Sequence, residues 1–234
     1  MNVLITGGAS GLGGAITRKL AAAAPGSRIY FTYRSGKDAA TALEAEHPNC
    51  SGIICDFAEP ADLEKLAEFI AGNEIGILVN NALAQFRTGY AHKTLVAEIS
   101  ASFMANVIPA IRITQAFITA ARKRKQGKII TILSAAIQSA PSGWSVYVAE
   151  KMYLLGMHQS WAKENIAYGI TSNCVSPAFM LTPLHKDMDE RLIEDMQLRH
   201  PLKKLLTTEE VADVVQFLAT ASSQLNGQNI VINP

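Results

Sequence analysis

Cysteine is scarce in this chain: Cys50, Cys55 and Cys174 are the only three among 234 residues. So few, and an odd number, exclude a disulfide framework and fit a reducing compartment, so a cytoplasmic location is expected. Charge is thin as well. Charged residues make up 18%, and 21 basic against 20 acidic side chains leave a formal net charge of +1. That leaves no field of one sign to capture nucleic acid or an anionic membrane. No apolar run approaches the roughly 20 residues of a membrane span. The N-terminus shows neither a basic n-region nor a cleavage site, so secretion is not expected. The five histidines have no close ligand spacing with the cysteines, and no metal is expected. Hydrophobic residues, by contrast, reach 49%, which excludes a disordered chain.

Short apolar runs alternate with helical stretches along the whole length. Strands are predicted at 2–5, 28–32, 52–55, 75–79, 128–133, 170–175 and 230–232. Helices are predicted at 12–24, 37–46, 60–71, 99–125 and 146–163, with one or two more over 184–199. Thr207-Thr208-Glu209-Glu210 resembles a helix start, with carboxylates near the dipole's positive end. Pro109 predicts a kink or local break in the long helix. The strands read as continuous apolar runs, as when both faces are covered. The fold class expected is therefore α/β: one Rossmann-like doubly wound domain over 1–234, mostly parallel, with helices on both faces. Arg122-Lys123-Arg124-Lys125 reads first as a solvated helix C-terminus, and second as a docking patch for an acidic partner.

The first strand runs directly into Thr6-Gly7-Gly8-Ala9-Ser10-Gly11-Leu12-Gly13, inside which a helix begins. A strand, a glycine turn and a helix N-terminus together make a pyrophosphate site. Tyr147 and Lys151 are four apart and share a helix face. An ammonium beside a phenol favours the phenolate and lowers a pKa that is otherwise near 10.

The spacing Thr6-Gly7-x-x-x-Gly11-x-Gly13 resembles the cofactor loop of the short-chain dehydrogenase/reductase family. The likeness continues through Asn80-Asn81-Ala82, Asn106, Ser134, Tyr147-x-x-x-Lys151, Ser176-Pro177-Ala178, Thr182 and the tail Asn226 to Ile230. In overall pattern it is most like β-ketoacyl-acyl-carrier-protein reductases, whose C-terminal part is resembled by His200 to Lys204 and Glu209 to Ala212. The resemblance implies hydride transfer between a nicotinamide and a carbonyl or secondary alcohol. It implies Tyr147 as acid, Lys151 as its partner, Ser134 holding the substrate oxygen and Asn106 placing a water beside Lys151. It further implies cofactor contacts from Gly7, Ala9, Ser10, Gly11, Leu12, Gly13, Arg34, Asp56, Phe57, Asn80, Ala82, Pro177, Met180 and Thr182. Asp56 would accept from the adenine amino group or cap its own turn.

The end of the second strand selects the cofactor. It reads Tyr33-Arg34-Ser35, with no carboxylate to repel a 2′-phosphate and a guanidinium to bind one, so NADP(H) is expected over NAD(H). Three departures stand out: Leu83 and Ala178 where the family has glycine, and Glu150 directly before Lys151, where small or hydroxyl residues are common. Alanine at 178 would be strained if φ there were positive. The substrate walls are expected in 85–90, 135–144 and 179–199, with a lid from Thr182 that includes Leu184 and Met188. A carrier-linked β-keto substrate is the first expectation; a keto-sugar, a steroid or a small ketone are alternatives. A nucleotide sensor without turnover is the other class. A homodimer or homotetramer through the helices at 99–125 and 147–163 is implied by the resemblance.

Overall fold

The structure, a computed structural model, describes residues 1–182 and 190–233. Seven strands form one sheet: β1 (Asn2–Ile5), β2 (Ile29–Tyr33), β3 (Cys50–Ile54), β4 (Ile75–Asn80), β5 (Gly127–Ile132), β6 (Ile170–Pro177) and β7 (Asn229–Ile232). Their order is β3-β2-β1-β4-β5-β6-β7, and every neighbouring pair is parallel. Parallel neighbours need long crossovers. Those are supplied by α1 (Gly11–Ala23), α2 (Lys37–Glu46), α3 (Pro60–Gly72), α4 (Val96–Arg124), α5 (Ala136–Ser139), α6 (Ser145–Asn165), α7 (Glu190–Arg199) and α8 (Thr208–Thr220).

Alternation along β1 shows how both faces are covered. Val3 and Ile5 pack with Ile16 and Leu20 of α1, Leu43 of α2 and Val215 of α8. Leu4 points to the other face and packs with Leu66 and Ile70 of α3 and Ile113 and Phe117 of α4. β4 and β6 are buried at every position; β4 reads as an apolar run up to Asn80, whereas β6 also buries Thr171, Ser172, Asn173 and Ser176. The strand order reverses between β1 and β4. The crevice at their carboxyl ends is where open α/β sheets bind ligands.

Two expectations change. Helix α4 begins at Val96 rather than Ile99 and runs through Pro109 without a break. Pro109 is buried in the helix, so packing holds the turn although the ring offers the Ala105 carbonyl no N–H. By length and composition α4 is also apolar enough to cross a membrane, against the reading of the raw sequence. In this fold Val107, Ile113, Phe117 and Ala121 of α4 are buried in the core, while Val96, Ile99 and Met104 are exposed. Of the predicted helical stretch 184–199, α7 is described; Leu184 and Met188 lie outside the described residues.

Candidate active site

The turn after β1 is held open by glycine and tied down by side chains. Gly7 and Gly11 adopt positive φ, +65° and +53°. A Cβ on Gly13 would lie 2.0 Å from the Gly7 carbonyl oxygen and 2.6 Å from Asn81 Nδ2. Asn81 Nδ2 donates to the carbonyls of Thr6 at 2.9 Å and Gly7 at 3.1 Å. The Thr6 hydroxyl accepts from the Asn81 and Ala82 amides, and the Gly7 amide donates to Thr32 Oγ1 at 3.0 Å. The first strand, the second strand and the end of β4 thus clamp one loop at the start of α1. The unpaired N–H groups of that helix start suit an anion.

Beside this turn the sheet presents Ser134, just past β5, and Tyr147 and Lys151 on α6. All three line the same cavity as the glycine turn, a space of about 740 Å³. Lys151 is 7% exposed, and its ammonium donates to the Ile132 carbonyl at 2.9 Å. It lies 5.7 Å from the centre of the Tyr147 ring. Burial pushes the lysine down to about 8, with the Glu150 and Cys174 charges opposing that fall. The phenol moves the other way from the sequence expectation. Burial raises the Tyr147 pKa, the Glu150 charge adds to the rise, and a hydrogen bond with Ser134 opposes it. In the free protein desolvation outweighs the Ser134 hydrogen bond, and Tyr147 stands protonated.

Asn106 does not line this cavity. Its Oδ1 accepts from the Ala84 and Gln85 amides at 3.0 and 3.1 Å, and its Nδ2 donates to the Gln85 carbonyl at 2.8 Å and to Glu150 Oε2 at 2.9 Å. The side chain pins the segment after β4, and Asn106 lines, with Lys151, a separate small cavity of about 10 Å³. Asn80, expected as a cofactor contact, is also absent from the lining; its amide donates to Thr114 Oγ1 in the core at 2.9 Å. Side chains alternate along β4, so Asn81 is the one that reaches the glycine turn.

The remaining expected contacts do line the cavity: Gly7, Ala9, Ser10, Gly11, Leu12, Gly13, Arg34, Asp56, Phe57, Ala82, Pro177, Met180 and Thr182. Arg34 is exposed at the end of β2, and among the described residues no carboxylate pairs with it. Asp56 Oδ1 accepts from the Ala58 amide at 3.0 Å, so it does cap its own turn. Ala178 does not have positive φ, and its amide donates to the Ile232 carbonyl at 2.8 Å, so the glycine is not needed there. Two aromatic side chains that sequence reasoning did not single out complete the wall. Phe86 and Trp144 meet each other edge to face with centroids 5.1 Å apart, and each meets Tyr147 the same way, at 5.0 and 5.8 Å. The signal was faint: both lie in segments expected as walls, and only Trp144, three residues before Tyr147 at the start of α6, had a spacing that puts it beside the phenol.

The basic run also divides. Arg122 donates to Asn165 Oδ1 at 2.8 Å and stacks over Tyr168, and Arg124 reaches the Ile75 carbonyl. Lys123 and Lys125 stay exposed. Among the described residues no group of three His, Cys, Asp or Glu side chains could hold a metal ion. A glycine-lined helix start continuous with a guanidinium and an acidic phenol fits a phosphorylated dinucleotide.

Comparison with known proteins matches the same features. A short-chain dehydrogenase family model, described as Enoyl-(Acyl carrier protein) reductase, covers residues 7–234. The chain is 29% identical over 233 residues to 3-oxoacyl-(acyl-carrier-protein) reductase FabG of Escherichia coli K12, covering 98% of this chain and 94% of that one. It is 30% identical over 223 residues to the acetoacetyl-CoA reductase of Shinella zoogloeoides, covering 93% and 90%. A short chain dehydrogenase from Burkholderia cenocepacia J2315, solved in complex with NADP, superposes with a TM-score of 0.84 at 28% identity, covering 99% and 96%.

Proposed function

Because the chain belongs to the short-chain dehydrogenase/reductase family, we propose that this NAD(P)-dependent oxidoreductase is an NADP(H)-dependent ketoreductase acting on a carrier-linked β-keto acyl group. Supporting that reading is one observation above the rest: the Tyr147 phenol, the Ser134 hydroxyl and the Lys151 ammonium line a single cavity with the glycine turn. When bound, the reduced nicotinamide supplies hydride to the carbonyl carbon. Gly7 to Gly13 and the start of α1 hold the pyrophosphate, and Arg34 holds the 2′-phosphate. Ser134 donates a hydrogen bond to the carbonyl oxygen and fixes it beside Tyr147. As negative charge grows on that oxygen, Tyr147 gives up its phenolic proton, and the product is the alcohol. Lys151 stabilises the phenolate left behind. Phe86 and Trp144 give the acyl chain an apolar wall, and Lys123 and Lys125 offer an acidic carrier its remaining cations.

The reading includes a homodimer or homotetramer, for which Met104, Met152 and Tyr153 leave an exposed apolar face on α4 and α6. It also includes a cytoplasmic setting, for which the three buried free thiols are suited. The test is Tyr147→Phe with a 3-oxoacyl thioester. NADPH oxidation is expected to fall by about two to four orders of magnitude, while NADPH fluorescence still reports binding. Undiminished turnover overturns the assignment of the acid. A wild-type protein that binds NADPH and reduces no carbonyl in a broad panel is a sensor instead.

A further inference from the structure

Glu150 is a carboxylate that the reaction above does not use. It precedes Lys151 on α6, is only 5% exposed, and accepts from Asn106 Nδ2 through Oε2. Its other oxygen, Oε1, is buried without a hydrogen-bond partner among the described residues. The same holds for Asn80 Oδ1 and Thr131 Oγ1. All three residues line one small cavity, of about 10 Å³, together with Lys151. That is room for one water, and the chemistry matches: two oxygens to accept its protons, a hydroxyl and an ammonium to donate to it. A carboxylate is costly to bury unless a cation or donors compensate it. Lys151 is the cation beside it.

We propose that Glu150 is a positioning residue of the proton-transfer site. Its carboxylate, and one water held among Glu150, Asn80 and Thr131, keep Lys151 an ammonium and Tyr147 a protonated phenol. This rests on the reductase reading and adds a residue to it: a carboxylate that holds the charge of Lys151, the cation that steadies the phenolate once Tyr147 has given its proton. A negative charge favours a neighbouring ammonium and disfavours a neighbouring phenolate. Both effects act here in the same sense, since the Glu150 charge raises Lys151 against burial and raises Tyr147 along with burial. The groups facing Lys151 from each packed element are few. Tyr147 and Glu150 lie on its own helix, and Cys174 lies on β6. α4 contributes neutral Asn106, and β5 contributes Thr131 and the Ile132 carbonyl.

Glu150→Gln keeps an oxygen for Asn106 and removes the charge. The readout is the titration of Lys151 in the free protein, followed by NMR on ¹³C-lysine-labelled enzyme and assigned with Lys151→Met. The wild-type midpoint is expected near 8, and in Glu150→Gln lower by at least about one pH unit. The basic limb of kcat/KM for reduction should move down by the same amount, with Glu150→Asp restoring much of it. An unmoved Lys151 midpoint overturns the proposal. Should Glu150→Gln fail to fold, Thr131→Val leaves the carboxylate in place and removes one partner of the water; a smaller downward shift supports the proposal and no shift overturns it. The NMR titration needs no turnover, so it stands or fails separately from the Tyr147→Phe result.

Discussion

Arg34 illustrates what one side chain decides. It directly follows β2 on the cavity wall, unpaired with any described carboxylate. A guanidinium there rewards a 2′-phosphate, whereas a carboxylate would repel it. Arg34→Asp is expected to lower kcat/KM with NADPH by about 10- to 100-fold, the worth of a charged hydrogen bond, while that with NADH holds or rises. An unaltered ratio of the two would remove Arg34 from cofactor choice. Its place on the cavity wall could be read directly from the sequence, because it depends only on following a strand end. Glu150 could not. Adjacent positions on a helix point about 100° apart, so standing next to Lys151 said nothing about facing it. Only the packing of α4 on α6, which brings Asn106 to 2.9 Å, turned Glu150 inward.

Among elements, the glycine turn is the most constrained. Gly13 sits where a Cβ would strike the Gly7 carbonyl oxygen and Asn81 Nδ2, one of them backbone and unable to yield cheaply. Gly13→Ala is expected to destabilise the protein by about 1–3 kcal/mol, as overpacking does, and to weaken NADPH binding at least tenfold. Thermal unfolding and a fluorescence titration check both; a Tm within 1 °C of wild type, with an unchanged Kd, would show that the turn yields. The start of α8 is legible for a local reason. The Thr207 hydroxyl accepts from the Glu210 amide, and the Glu210 carboxylate accepts from the Thr207 amide, within four residues of chain. Pro109 is the opposite case. Local chemistry predicts a break, but the buried flank of α4 against the sheet outweighs one missing hydrogen bond.

Across the whole molecule, stability depends on a histidine outside the site. His158 of α6 is fully buried, with Nδ1 2.7 Å from Ser172 Oγ on β6. Burial drives its pKa down to about 4, partly opposed by hydrogen bonding with the Gly227 and Gln228 backbone. The unfolded chain has a histidine near 6.5 and binds the proton first as pH falls. The neutral ring's contribution is therefore complete above about 6.5 and is lost between there and about 4, with a slope of up to about 1.4 kcal/mol per pH unit. Urea unfolding between pH 7 and pH 4.5 should show this fall, and His158→Asn should flatten it; parallel curves would assign the acid sensitivity elsewhere. The sequence alone determined the alternation of strand and helix, the glycine turn, the phenol–lysine pair and the guanidinium, because each rests on spacing within a few residues or one element. The tertiary structure decided the rest. It set Asn81 rather than Asn80 against the turn, brought Phe86 and Trp144 onto Tyr147, raised the phenol's pKa by burial, and placed Glu150 in a small cavity with Lys151. Apart from Trp144, three residues from Tyr147, these depend on contacts between segments tens of residues apart, whose geometry follows from how the helices pack on the sheet.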